Sequence, residues 1–185
     1  MPYIINSVAV AFMFKFFLHN QYGGLNIILR SINLNKLALD WIGDPKLVNF
    51  TLAFIALWKY MGYMMVVFLG GLQSISFDIY ESASIDGATG WQSFRHITLP
   101  GIKHILKLNL FLNLNGALGM FEMPFAMFNG MGSPMGVADT FAVKTVLTAF
   151  TYQDYGLASA LGVVMMAAIA LLVFLQNKVF FRETD

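Results

Sequence analysis

Residues 157–175 run for 19 positions without a charged side chain. About 20 apolar residues in a helix cross the hydrocarbon core of a bilayer, where only a helix or a closed barrel satisfies its own backbone hydrogen bonds. This segment therefore predicts a transmembrane helix. Composition extends that reading to the whole chain. Hydrophobic residues make up 58% and charged residues 11%, against about a quarter charged in a soluble domain. With 18 Phe and 12 Met in 185 residues, the chain carries more apolar side chain than a globule of that size can hide.

Three further apolar stretches qualify as spans. Residues 48–72 contain Lys59 as their only charge, and residues 3–18 contain Lys15 near their end. Residues 102–123 are the poorest, interrupted by Lys103, Lys107, Asn109, Asn113, Asn115 and Glu122. The expected fold is an all-α integral membrane protein of about four transmembrane helices, with both termini on one face. Lys15 breaks the first apolar run and no small-residue cleavage site follows, which argues against a removable signal.

Between the second and third stretches lies a polar island that carries helix signals of its own. Ser76 is placed to cap a short helix, with Asp78 in its first turn, where negative charge suits the helix dipole. Thr89 and Gln92, three apart, read as a capping box opening a second short helix. Pro100 suits the first turn of the long helix that follows. The pattern is helix, glycine turn, helix, lying outside the bilayer and shaped to dock into a partner.

Catalytic and metal readings find no support. His19 stands alone at a span end, while His96 and His104 are eight apart with Pro100 between them. No carboxylates accompany them at ligand spacing, and no cysteine exists to form a disulfide or a thiolate site. A net charge of +1 gives no reason to expect nucleic acid. No phosphate-binding loop of the Gly-x-x-x-x-Gly-Lys-Ser/Thr type occurs.

The island, as Glu81, Ala83, Asp86-Gly87-Ala88, Phe94, Ile97 and Leu99-Pro100, resembles the EAA loop of the membrane subunits of binding-protein-dependent ABC importers, with Ser82 where the pattern has a first alanine. Asp86-Gly87-Ala88 with Trp91 and Phe94 is most similar to the carbohydrate branch, the maltose- and glycerol-phosphate-like permeases. The turn-rich connectors 19–47 and 129–155 resemble that branch's external loops. The resemblance implies one importer transmembrane domain over residues 1–185, with a cytoplasmic coupling loop at 76–100. It implies that Glu81, Ala83, Asp86, Gly87 and Ala88 fit an ATPase cleft; Ala83 and Gly87, four apart on a helix, would share its small-residue face. The family's usual six helices would place this chain's start at the third, as in a truncated gene, a fragment or a reduced variant.

The implied partners are a second permease subunit, a cytoplasmic ABC ATPase dimer holding ATP and Mg, an extracellular solute-binding protein and membrane lipid. The chain itself would bind no cofactor and catalyse no reaction. The expected location is the prokaryotic inner membrane, multi-pass. Charge decides the orientation poorly: Arg95, Lys103, Lys107, Lys178 and Arg182 would lie inside, against Arg30, Lys36, Lys46 and Lys144 outside. Polar groups within spans are costly and tend to face protein or water. Asn109 and Asn113, on one helix face, and Lys59 are therefore candidates for a solute path, with interhelical packing the competing role; Asn115 points elsewhere. Ala158 and Gly162 form a small-residue pair suited to close helix packing. The leading function is a sugar permease subunit. Alternatives are the same machine for a phosphorylated polyol or other solute, or a truncated membrane remnant that transports nothing.

Overall fold

The computed structural model describes residues 2–180; Arg182 of the predicted inward cluster lies outside them. After a short 3-10 turn at Pro2–Ile4, Asn6 breaks the first apolar run by accepting the Val8 amide at 2.8 Å. That cap starts α1 at Ser7–Phe17. Next come α2 (Gly24–Ser31), α3 (Val48–Gln73) and α4 (Phe77–Ile85). The short α5 (Gly90–Ser93) continues through a π-helical turn at Phe94–Thr98 into α6 (Leu99–Gly101). Then follow α7 (Lys103–Leu118), α8 (Glu122–Met127), α9 (Phe141–Val146) with a second π-helical turn at Leu147–Thr151, and α10 (Tyr155–Phe180). No strand occurs among the described residues, in keeping with the all-α fold expected from the long apolar runs.

Helices stand at all four expected places, but they differ in reach. Among the described residues, α3 and α10 are long and apolar enough to cross a membrane. Only 11% and 6% of their most apolar windows are buried inside the protein, so their surfaces suit lipid. α1 has 11 residues and α7 has 16. At about 1.5 Å per residue both fall short of a bilayer core of about 30 Å.

The core sits where α1, α8 and the first half of α3 meet. It is built from Val10, Ala11, Phe14, Leu18, Ile55, Met123 and Met127, and the Phe14 ring meets Trp58 edge-on at 5.1 Å. Around it the connector 19–47 is folded onto a buried amide. Asn26 Nδ2 donates to the carbonyls of Asn20 at 3.0 Å and Leu39 at 2.8 Å, and Asn26 Oδ1 accepts Trp41 Nε1 at 2.9 Å. Thr51 of α3 donates to the Trp41 carbonyl at 2.8 Å.

The connector 129–155 is less loop-like than its turn residues suggest. Phe141–Thr151 is an apolar helical stretch, opened by Thr140, whose hydroxyl accepts the Val143 amide at 3.3 Å. Ala158 is buried, whereas a side chain at Gly162 would meet nothing within 4 Å. Close packing therefore involves Ala158 but not Gly162 within this chain.

Candidate functional site

Local signals build the loop between α3 and α7 as the sequence predicts. Ser76 caps α4, its hydroxyl accepting the Asp78 amide at 3.3 Å, and Asp78 lies in the first turn. The capping box forms: Gln92 Oε1 accepts the Thr89 amide at 2.7 Å while Thr89 Oγ1 accepts the Gln92 amide at 3.4 Å. Between them Gly87 takes a φ of +77°, the left-handed conformation that glycine adopts without penalty. The Gly87 amide bonds to the Ser84 carbonyl at 3.1 Å and the Ala88 amide to that of Ala83 at 2.9 Å. These two bonds close the last turn in a Schellman cap.

That cap corrects one expectation. Gly87 lies past Ile85, the last residue of α4, so it does not share a helix face with Ala83. Ala83 and Ala88 are half-buried against the rest of the loop, whereas Glu81, Asp86 and Gly87 are exposed. The outward face of α4 is instead set by Phe77, Glu81 and Ile85, spaced at i, i+4 and i+8. Phe77 is 76% and Ile85 81% exposed. In α5 Trp91, 68% exposed, stacks on Phe94 with ring centroids 5.5 Å apart. Phe77 and Ile85 escaped the motif reading, although their spacing around Glu81 was visible in the sequence.

Pro100 departs from its expected place. It sits in α6, inside a helical run that starts at Gly90, and α7 begins only at Lys103. Proline lacks an amide proton, and its ring clashes with the carbonyl four residues back in a regular helix. The widened π turn just before it, where the Leu99 amide reaches back five residues to the Phe94 carbonyl, relieves that crowding.

The candidate path residues fall into two groups. Asn109 and Asn113 lie on the face of α7 toward α3; Asn109 is buried and the Asn113 amide comes within 3.8 Å of Met64 Sδ. Their amides also donate to the carbonyls one turn back, of Ile105 at 3.0 Å and Asn109 at 2.7 Å. Asn115 points toward α10, its amide 3.4 Å from Gln176 Oε1. Lys59 is 4% exposed and donates to the Ile5 carbonyl at 3.1 Å and to Ser7 Oγ at 2.6 Å. It borders an open cleft of about 440 Å³ shared with Tyr3, Tyr60 and Glu122, and its bonds run toward the start of α1 rather than to the asparagines. Among the described residues no cluster of His, Asp or Glu could hold a metal ion.

A family model described as "Binding-protein-dependent transport system inner membrane component" matches residues 1–184. The probable ABC transporter permease protein YurN of Bacillus subtilis is 32% identical over 97% of this chain and 61% of its own length. The trehalose/maltose transport system permease protein MalF of Thermococcus litoralis is 30% identical over 91% of this chain and 55% of its own length. The crystal structure of a bacterial alginate ABC transporter, in complex with its alginate pentasaccharide-bound periplasmic protein, superposes with a TM-score of 0.80 at 25% identity, covering 96% of this chain and 61% of that chain. The chain thus spans roughly three-fifths of the length of the proteins it matches.

Proposed function

This chain belongs to the binding-protein-dependent transport system inner membrane components, and from that premise we propose that it serves as a permease subunit of an ABC importer for a sugar. The observation that carries the proposal is the exposed face of α4. Phe77 and Ile85 flank Glu81 on a helix whose backbone is capped at both ends. A short rod with satisfied ends and unpartnered apolar side chains suits a groove on another protein, since exposed apolar groups gain by losing water.

In this reading the loop 76–100 is cytoplasmic and docks a separate ATPase dimer that holds ATP and Mg. Glu81, Asp86 and the bare backbone at Gly87 meet the groove, while Ala83 and Ala88 pack the loop's inner side. A second permease subunit completes the pore, and an extracellular solute-binding protein delivers the solute. The similar alginate transporter, crystallised with its periplasmic protein, supports that last partner. The sugar permeases among its relatives, MalF of Thermococcus litoralis for one, support a carbohydrate solute. The location is the prokaryotic inner membrane, which the chain crosses more than once.

Ile85→Asp tests the docking face. It should leave membrane insertion intact and remove the ATPase from the purified complex; recovery of the ATPase at the wild-type ratio overturns the proposal. The solute path is assigned to Asn109, Asn113 and Lys59. An amide offers both a donor and an acceptor to a sugar hydroxyl. Asn113→Leu should lower uptake at unchanged complex yield and basal ATP hydrolysis, with Asn115→Leu as the control on the other face. Equal loss of yield in both makes the asparagines packing groups alone.

A further inference from the structure

We propose that the Tyr80 and Thr98 hydroxyls form a latch that makes α4 move as one piece with α7, carrying its displacement to the helix that bears Asn109 and Asn113. The inference rests on the reading of α4 as the ATPase-docking helix, and it concerns Tyr80, the half-buried residue of α4 that meets Thr98.

Tyr80 Oη and Thr98 Oγ1 lie 2.8 Å apart across 18 residues of chain, and both side chains are half-buried. Either hydroxyl can donate in this bond, and Thr98 Oγ1 also lies 3.5 Å from the Ser93 carbonyl. The π turn places Thr98 there. One extra residue in a helical turn rotates everything after it by about 100°, a full turn divided by 3.6 residues. With a regular helix from Gly90 onward, position 98 would point well away from α4. π turns are rare and concentrate at functional positions; this one relieves Pro100 and aims Thr98 at the same time.

A second contact closes the base of the loop. A Cβ on Gly101 would stand 2.6 Å from Ile75 Cδ1, so glycine at that position lets the isoleucine seat directly on the α6 backbone. α4 is therefore pinned to the rod of α5, the π turn and α6 at its base by Ile75 and at its middle by Tyr80. That rod leads into α7 at Lys103. Without the hydroxyl bond, α4 would be held to that rod only at its two ends, by Ile75 against Gly101 and through the Gly87 turn, and its middle could tilt without moving α7.

The test is a reconstituted complex of this chain in its full importer, measuring solute moved per ATP hydrolysed. Tyr80→Phe and Thr98→Val should each lower that ratio about fivefold, the size a single neutral hydrogen bond supports, with the ATPase still co-purifying in full. The double variant should be no worse than either single, because both remove one bond. Thr98→Ser, which keeps the hydroxyl, should restore the ratio. An unchanged ratio in the singles, additive losses in the double, equal loss in Thr98→Ser, or release of the ATPase by Tyr80→Phe each overturns the latch alone. A wild-type complex that captures no ATPase overturns the docking reading beneath it and the latch with it.

Discussion

The two ends of α3 are held in opposite ways. At its start the chain is tied by buried polar groups: Asn26 is fully enclosed, bridges two carbonyls and Trp41, and passes on to Thr51. At its far end, about 39 Å away along a 26-residue helix, the loop is held by exposed caps at Ser76, Gly87, Thr89 and Gln92. A buried network stabilises because leaving any member unpaired is expensive; exposed caps stabilise only their own turn. The first end is built to stand alone. The second keeps its backbone in order while leaving Phe77, Ile85 and Trp91 for something else to cover.

The largest effect expected from this contrast is all-or-none. The chain has no cysteine, so a single introduced thiol reports without background. Asp86→Cys, exposed at the capped end, should resist a membrane-impermeant thiol reagent in intact cells and react in inverted vesicles. Met135→Cys, at a position 87% exposed in the connector 129–155, should do the reverse. The opposite pattern would put the apolar loop face outside the cell and end its reading as an ATPase dock.

Next in size is stability. Asn26→Leu orphans the Trp41 Nε1 proton and the Leu39 carbonyl, while the Asn20 carbonyl keeps Arg30 Nη2 at 3.1 Å; the cost is about 1–3 kcal/mol for each buried group left unpaired. Ser76→Ala removes one exposed cap, worth about 1 kcal/mol and confined to its turn. Thermal unfolding in detergent should show a large fall for Asn26→Leu and little for Ser76→Ala. Equal falls would mean that the loop is as much a part of the folded scaffold as the buried network is.

The same contrast explains what could be read from the sequence. The signals at Ser76, Asp78, Thr89 and Gln92 were legible because a cap works over three residues and its partners are neighbours in the chain. The long apolar helices were legible because a run such as 48–72 needs no partner to declare itself. Asn26 was not, since its bonds to Leu39 and Trp41 depend on how a turn-rich connector folds back. The Tyr80–Thr98 contact was hidden for a sharper reason: it depends on one extra residue in a helical turn, which no periodicity announces. Phe141–Thr151 was passed over because its threonines and Lys144 look like a connector, although Thr140 ahead of Val143 offered a cap. The expected face shared by Ala83 and Gly87 failed because the glycine ends the helix instead of extending it.

A smaller effect is expected at that glycine. Gly87 has a φ of +77°, and a Cβ there would meet nothing within 4 Å, so substitution costs backbone strain and no clash. Gly87→Ala should loosen the turn by about 1 kcal/mol, the price of the left-handed region for a residue with a Cβ. Gly87→Asn should cost less, because asparagine tolerates that region. Hydrogen exchange at the Ala88 amide, which closes the cap, reads this directly, while the unfolding temperature should hardly move. If alanine and asparagine exchange alike, the turn is not held by the conformation of residue 87, and the capped end owes its order to Ile75 and Tyr80.

The smallest effect is expected at Glu81, and it measures how wet the docked loop is. Glu81 is exposed and sits between Phe77 and Ile85 on the outward face. Ion pairs of exposed carboxylates contribute little, because water and salt screen them. Glu81→Lys should leave the fold untouched and weaken recovery of the ATPase by about two- to threefold at low ionic strength, far less than Ile85→Asp. The Debye length shrinks from about 10 Å at 0.1 M salt to about 3 Å at 1 M, so the difference from wild type should vanish in concentrated salt if the carboxylate lies on a solvated rim. A defect that survives 1 M salt would mean that Glu81 is desolvated on docking and paired with a charge on the partner. The apolar pair would then flank a buried ionic contact, and the capped end of α3, like the end built around Asn26, would be held by a polar group closed away from water.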